Sequence, residues 1–222
     1  MEIKPVKEWS AAIMINHWAM ALSILVLIVT GFYIATPFTI YAGETVNKFF
    51  MGNMRYVHII AGVLLMFIFL WRLYLAFFSK FNADWKDFFA WTDFECTWNQ
   101  IKFYLLIKKE PPKHDECLYG PMQSIAYSGL FLMIFLIVIT GLILMGAGYH
   151  AGFTAFCYKI LKPVENMLGG LAIVRFIHHI LTWLFILFII VHVYMAFWYD
   201  AILKEGTVSS MISGLLFEKE KK

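Results

Sequence analysis

The sequence predicts an all-α membrane protein, a four-helix transmembrane bundle with both termini in the cytoplasm. Three observations carry this prediction. The chain of 222 residues is 61% hydrophobic and 15% charged, with mean hydropathy +0.72, whereas soluble domains are about half apolar and about a quarter charged. Four apolar stretches, at about 12–36, 54–78, 122–146 and 171–198, each reach the roughly 20 residues a helix needs to cross a bilayer core. Four crossings put both termini and the long segment 79–120 on one side, and that side holds twelve of the lysines. The other side holds only Lys48, Arg55, Lys159, Lys162 and Arg175, so the positive-inside rule makes the lysine-rich side cytoplasmic.

Each element follows from local signals, and residues 1–222 read as one transmembrane domain. Lys4 and Lys7 precede an apolar stretch that continues past Tyr33, too long for a signal-peptide core, so it reads as the first span. Pro37, Gly52, Pro121 and Gly169-Gly170 mark span boundaries. Between the second and third spans, 88–107 mixes aromatics with charges and fits an amphipathic helix lying along the interface. The opposite loops, 37–53 and 147–170, are too short to form a catalytic domain. The stretch 207–217 is too short and polar for a fifth span and reads as a surface helix. No basic tract with interleaved aromatics suggests nucleic acid.

Cys96, Cys117 and Cys157 share no metal-ligand spacing, and no Cys-x-x-Cys-His motif exists for covalent haem attachment. Three thiols are too few for an iron–sulfur cluster, which takes about four. They read as isolated loop thiols.

The histidines are more informative. His178 and His192 are fourteen residues apart in the fourth span, about 40° short of four full turns, so both leave one helix face about 21 Å apart in depth. Imidazole within hydrocarbon marks a functional site by default. His17 enters the first span at the depth of His192, and His58 enters the second at the depth of His178. Two pairs at two levels suit two six-coordinate haem irons, each with an imidazole above and below. The expected pairs are His17 with His192 near the cytoplasm and His58 with His178 near the outside. These four are the candidate iron ligands. A metal or proton transporter would add carboxylates or thiolates beside the histidines within the spans, and none stands there.

Glycines and arginines fit the same frame. Gly31 follows His17 by fourteen residues and Gly62 follows His58 by four, so each opens a gap on a ligand-bearing face. Arg55 and Arg175 precede His58 and His178 by three, and Arg72 follows His58 by fourteen; a guanidinium there can hold a haem propionate in a bidentate fork. His179 points about 140° away from His192, which leaves it to hydrogen-bond a neighbour or face a docking surface. His114 and His150 read as loop histidines. Residues 28–31 (Ile-Val-Thr-Gly) are echoed at 138–141 (Val-Ile-Thr-Gly), a clue to packing.

His17-Trp18, Leu22-Ser23 and Thr30-Gly31 resemble the first-span signature of the b-type cytochrome subunit of membrane-bound nickel–iron hydrogenases, and 175–183 (RFIHHILTW), continuing through Phe188 to His192, resembles its last. The resemblance covers nearly the whole chain. Where that family often has arginine three residues before the first-span histidine, this chain has Met14, and an Asn-Pro pair is replaced by Gly120-Pro121. The resemblance implies a multi-pass protein of the bacterial inner membrane with two haem b groups. Its partners would be a nickel–iron large subunit and an iron–sulfur small subunit on the periplasmic side, since this chain lacks nickel-site cysteines. Electrons from hydrogen would cross to a membrane quinone, taken as menaquinone, reduced near the cytoplasmic face. Quinone-site candidates are His114, Gly120, Gln123 and Tyr127, at the cytoplasmic entry to the third span. The cytochrome b subunit of a formate dehydrogenase or thiosulfate reductase is similar in its spans and histidine levels; the motif at 175–183 favours the hydrogenase.

Overall fold

A computed structural model describes residues 3–38, 49–78, 89, 91–105, 107–108, 121–204 and 206–219. In chain order the elements are β1 (Ile3–Lys7), α1 (Ala11–Ala35), α2 (Phe50–Phe78), α3 (Phe94–Tyr104), α4 (Pro121–Gly148), α5 (Gly152–Leu168), α6 (Leu171–Leu203), α7 (Thr207–Ser213) and β2 (Leu215–Lys219). Four of the helices, α1, α2, α4 and α6, are long and apolar enough to cross a membrane. The chain divides into two compact units, Met1–Arg72 with Leu136–Lys222, and Leu73–Phe135.

In the first unit, portions of all four long helices turn small or apolar faces inward at helical spacing. These are Ile13, Met20 and Ile24 on α1, Ala61, Leu65 and Phe69 on α2, Ile143 on α4, and Val174, Leu181 and Phe185 on α6. Many large apolar side chains stay outside, among them Leu22, Leu64, Phe67, Phe176 and Leu187. That pattern suits lipid, where burying Leu against Leu gains little over burying it in acyl chains, so association depends on close packing and hydrogen bonds. One such bond is deep: buried Asn16 donates its side-chain N–H to the carbonyl of Ile68 at 3.0 Å, tying α1 to α2.

The termini are joined. β1 and β2 pair antiparallel, with Ile3 opposite Lys219 and Lys7 opposite Leu215. The Trp9 indole donates to Ser210 Oγ at 3.2 Å, and the Trp18 indole donates to the Met211 carbonyl at 2.9 Å. Gly214, with φ 76°, ends α7 and receives the backbone N–H groups of Glu8 and Trp9. A Cβ there would stand 3.0 Å from the Trp9 carbonyl oxygen, so the tight passage requires glycine. This ribbon adds two strands that helical periodicity does not announce, and only the first part of 207–217 is helical.

Two other readings are corrected. The segment 147–170 contains the 17-residue helix α5 rather than a plain loop; charges at every third position, Lys159, Lys162 and Glu165, leave the rest of its surface an apolar face, and Gly169 (φ 97°) caps its end. On α5, the Lys162 ammonium sits 2.7 Å from the Glu165 carboxylate and donates to Tyr158 Oη at 3.0 Å. That hydrogen bond holds the Glu165 carboxyl below its usual range. Cys96 is disulfide-bonded while Cys157 is free, so the thiols are not all isolated; spacing in sequence does not encode connectivity.

The second unit is built on α3. Asp93 caps its start by accepting from the N–H groups of Glu95 and Cys96, a contribution of about 1 kcal/mol. Cys96, Gln100 and Phe103 form its buried face. Gln100 Oε1 in turn accepts the N–H of Met122 at 3.0 Å, satisfying a donor in the first turn of α4 that has no partner in its own helix.

Candidate functional site: two intramembrane histidine pairs

The first unit brings four imidazoles together as two facing pairs. His17 on α1 and His192 on α6 have ring centres 6.2 Å apart, with planes at 50°. His58 on α2 and His178 on α6 have centres 6.4 Å apart, with planes at 68°. The separation discriminates between two arrangements. A first-row metal lies about 2 Å from a bound imidazole nitrogen, itself about 1.1 Å from its ring centre, so imidazoles on opposite sides of one metal have centres about 6.3 Å apart. A direct hydrogen bond of about 2.9 Å between two rings would bring the centres to about 5.2 Å. Both pairs exceed direct hydrogen-bond reach and match the wider value, a spacing that edge-on ring packing also spans.

Helical phase explains the pairing. On α6 the core positions Val174, Leu181 and Phe185 bracket His178 at steps of three and four. His192 follows fourteen residues on, its ring stacked on Phe188 at 5.6 Å and 8°. His179 turns elsewhere: its Nε2 accepts from the Trp183 indole at 3.3 Å, and Phe32 packs edge-on against both rings. His150 packs edge-on near Tyr158 at 6.2 Å.

The two pairs are held differently. His58 Nδ1 lies 2.8 Å from Thr30 Oγ1, and His178 Nδ1 lies 2.8 Å from Thr140 Oγ1. The glycine after each threonine lies against the same ring. A Cβ on Gly31 would meet His58 Cε1 at 3.2 Å, and one on Gly141 would meet His178 Cε1 at 3.5 Å. At the other level, His17 Nδ1 is buried with no hydrogen-bond partner among the described residues, and Trp18 stands edge-on to its ring at 5.2 Å.

Beside His58 and His178 an open cleft is walled by Gly62, Gly141, Met145 and Phe185, with Thr182 the other polar side chain on its lining. Such a wall suits a large, flat, apolar ligand. Arg55 and Arg175 are exposed one turn before His58 and His178, and Arg72 is half-buried further along α2. Gln123 and Tyr127 lie on the first two turns of α4 in the second unit. His114 and Gly120 lie outside the described residues.

The donor chemistry fits haem. Among the described residues, no three His, Cys, Asp or Glu side chains converge on a point, so each pair offers two imidazoles and no more. That suits a metal whose remaining donors would come with its own macrocycle. A sequence model of prokaryotic cytochrome b561 matches residues 8–214. This chain belongs to the prokaryotic cytochrome b561 family. Its cytochrome b relatives include a protein of Bradyrhizobium diazoefficiens described as a probable Ni/Fe-hydrogenase B-type cytochrome subunit, 30% identical over 93% of this chain and 83% of the relative. A protein of Azotobacter vinelandii with the same description is 30% identical over 93% of this chain and 86% of its own. One of Escherichia coli, described as a probable Ni/Fe-hydrogenase 1 B-type cytochrome subunit, is 29% identical over 93% and 88%.

For this cytochrome b561 chain, sequence reasoning passed over Thr30, Thr140 and Gly141 as site residues. The signal was present as the echo of 28–31 at 138–141, because each Thr-Gly pair faces a histidine of another helix. Asn16, one residue before His17, carried no signal beyond a polar side chain in a span.

Proposed function

We propose that this chain is the membrane-anchoring, electron-transferring subunit of a nickel–iron hydrogenase. It would accept electrons from hydrogen oxidation on one side of the bacterial inner membrane and deliver them to a quinone, menaquinone on this reading, near the other. The observation that carries the proposal is the pair of imidazole–imidazole gaps, 6.2 and 6.4 Å, at two depths of one bundle. In this reading His17 with His192, and His58 with His178, would hold two b haems. Gly31 and Gly62 clear space for a ligand ring or the macrocycle. Arg55, Arg72 and Arg175 neutralise propionates. When bound, the haems supply one-electron relay centres at two depths. In this reading the partners are a nickel–iron large subunit, where hydrogen is activated, and an iron–sulfur small subunit; the relatives' descriptions, as Ni/Fe-hydrogenase B-type cytochrome subunits, support a hydrogenase partner. His114, Gly120, Gln123 and Tyr127 remain the proposed quinone contacts.

The direct pairing of β1 with β2 supports both termini on one side, and the lysine distribution favours the cytoplasm. The disulfide at Cys96 favours the reverse placement, since disulfides persist in oxidising compartments. A C-terminal reporter that matures only in the cytoplasm distinguishes the two: signal supports the proposal, and silence from a fully expressed fusion reverses the orientation. The functional test is co-purification from membranes followed by addition of hydrogen. Reduction of the haem by hydrogen, with a nickel-containing enzyme in the complex, is the expected result. Reduction by formate, with a molybdenum enzyme recovered, would overturn it.

A further inference from the structure

The repeated Thr-Gly pairs define an asymmetry between the two histidine levels. Thr30 Oγ1 stands 2.7 Å from the Val26 carbonyl oxygen, and Thr140 Oγ1 stands 2.8 Å from that of Leu136. A carbonyl only accepts, so each hydroxyl spends its one proton on its own helix. The threonine oxygen is left to accept, and the imidazole N–H must therefore be on Nδ1 of His58 and of His178. Nε2 of both rings then carries the lone pair. The glycine one residue later lets the ring lie against the helix wall, with Cε1 in contact. α1 does this for a histidine of α2, and α4 does it for a histidine of α6. Neither applies at the other level, where no described residue hydrogen-bonds His17 Nδ1.

We propose that Thr30 and Thr140 are positioning residues that lock the Nδ1–H tautomer of His58 and His178, present both Nε2 atoms to one iron, and bias that iron toward its oxidised state. The inference rests on the haem reading above. The physical basis is that an accepted Nδ1–H bond makes the imidazole a more basic ligand and fixes its orientation, which stabilises the higher charge on the metal. The two hydroxyls thereby favour the electron at the His17/His192 level over the His58/His178 level.

The test uses the protein purified with its haems from membranes, titrated potentiometrically while the α-band is recorded, with haem counted by pyridine haemochrome. Thr30→Val and Thr140→Val keep size but remove the hydroxyl acceptor; His58 keeps a hydrogen bond to the Leu27 backbone, so the larger shift is expected from Thr140→Val. Each should ease reduction of one haem severalfold, and the double variant by about tenfold, which is about 59 mV for a one-electron couple. The couple that moves should be the one lost in His58→Ala, while the other stays put. Thr30→Ser and Thr140→Ser should restore the parent potential. Retained haem with no shift in the valine variants, or equal shifts of both couples, would overturn the inference. If the valine variants lose the haem, the serine variants decide: parent potentials support the hydroxyl role, and a shift as large as expected for valine overturns it. If His58→Ala and His178→Ala both leave two haems bound, the haem reading fails instead, and the outcomes are distinct.

Discussion

Replacing Gly31 with alanine should damage the His58/His178 site, while the same replacement at Gly141 should not. The new Cβ of Gly31→Ala would stand 3.2 Å from His58 Cε1, whereas carbon atoms pack best at about 3.5–4.0 Å. The ring must retreat by a few tenths of an ångström, and it has little freedom to do so. Its Nδ1 is tied at 2.8 Å to Thr30, on the same helix as the intruding methyl. Relief therefore means stretching that bond, turning the ring off its rotamer, or separating α1 from α2 against the Asn16–Ile68 bond. Overpacking of this kind costs about 1–3 kcal/mol, which at about 1.4 kcal/mol per tenfold is roughly a 5- to 150-fold loss in haem affinity. At Gly141 the methyl would meet His178 Cε1 at 3.5 Å, an ordinary contact, and the better helix propensity of alanine works in its favour. Both variants would be purified in parallel, their haem-to-protein ratios measured, and haem loss followed on heating or on transfer to excess apomyoglobin. Faster release of one haem from Gly31→Ala, with Gly141→Ala close to the parent, is expected. Equal damage at both sites, or greater damage at Gly141, would refute the close-approach reasoning.

His179→Ala should retain both haems, because His179 faces Trp183 and Phe32; loss of a haem there with retention in His178→Ala would place the α6 helical phase one residue off. On α5, Lys162 holds the Glu165 carboxyl below its usual value of 4.5, so the stabilisation is present above that pH and fades as pH falls through the lowered folded-state value. Glu165→Gln should flatten this acid limb in hydrogen exchange of α5 amides, and an unchanged limb would show that the pair does not stabilise the helix.

Much of this architecture was legible because two periodicities dominate it. Long apolar runs announce the spans, and histidines fourteen residues apart must share a face. The pairing of His17 with His192 and of His58 with His178 required only depth matching. What was hidden depends on contacts between distant segments. β1 and β2 form a ribbon only because the chain ends meet, and five-residue strands beside long helices leave no distinctive pattern. Helix α5 is the exception, since its charges recur every three residues, at Lys159, Lys162 and Glu165, and its apolar face can be read from that spacing. The threonines were masked by their ordinary role: a hydroxyl in an apolar helix is usually satisfied by its own carbonyl i−4, and both do make that bond. Their second partner lies on another helix. Only the Thr-Gly echo hinted that the positions were equivalent.

The central claim is that two imidazole pairs hold two haems in this one chain. The most direct measurement is haem per polypeptide, by pyridine haemochrome and quantitative amino-acid analysis, in the parent and in each single histidine-to-alanine variant. The account predicts two non-covalent b haems in the parent. It predicts loss of one spectroscopic component in His17→Ala and His192→Ala, and loss of the other in His58→Ala and His178→Ala. One haem in the parent, or variants that group as His17 with His58 or as His178 with His192, would contradict it.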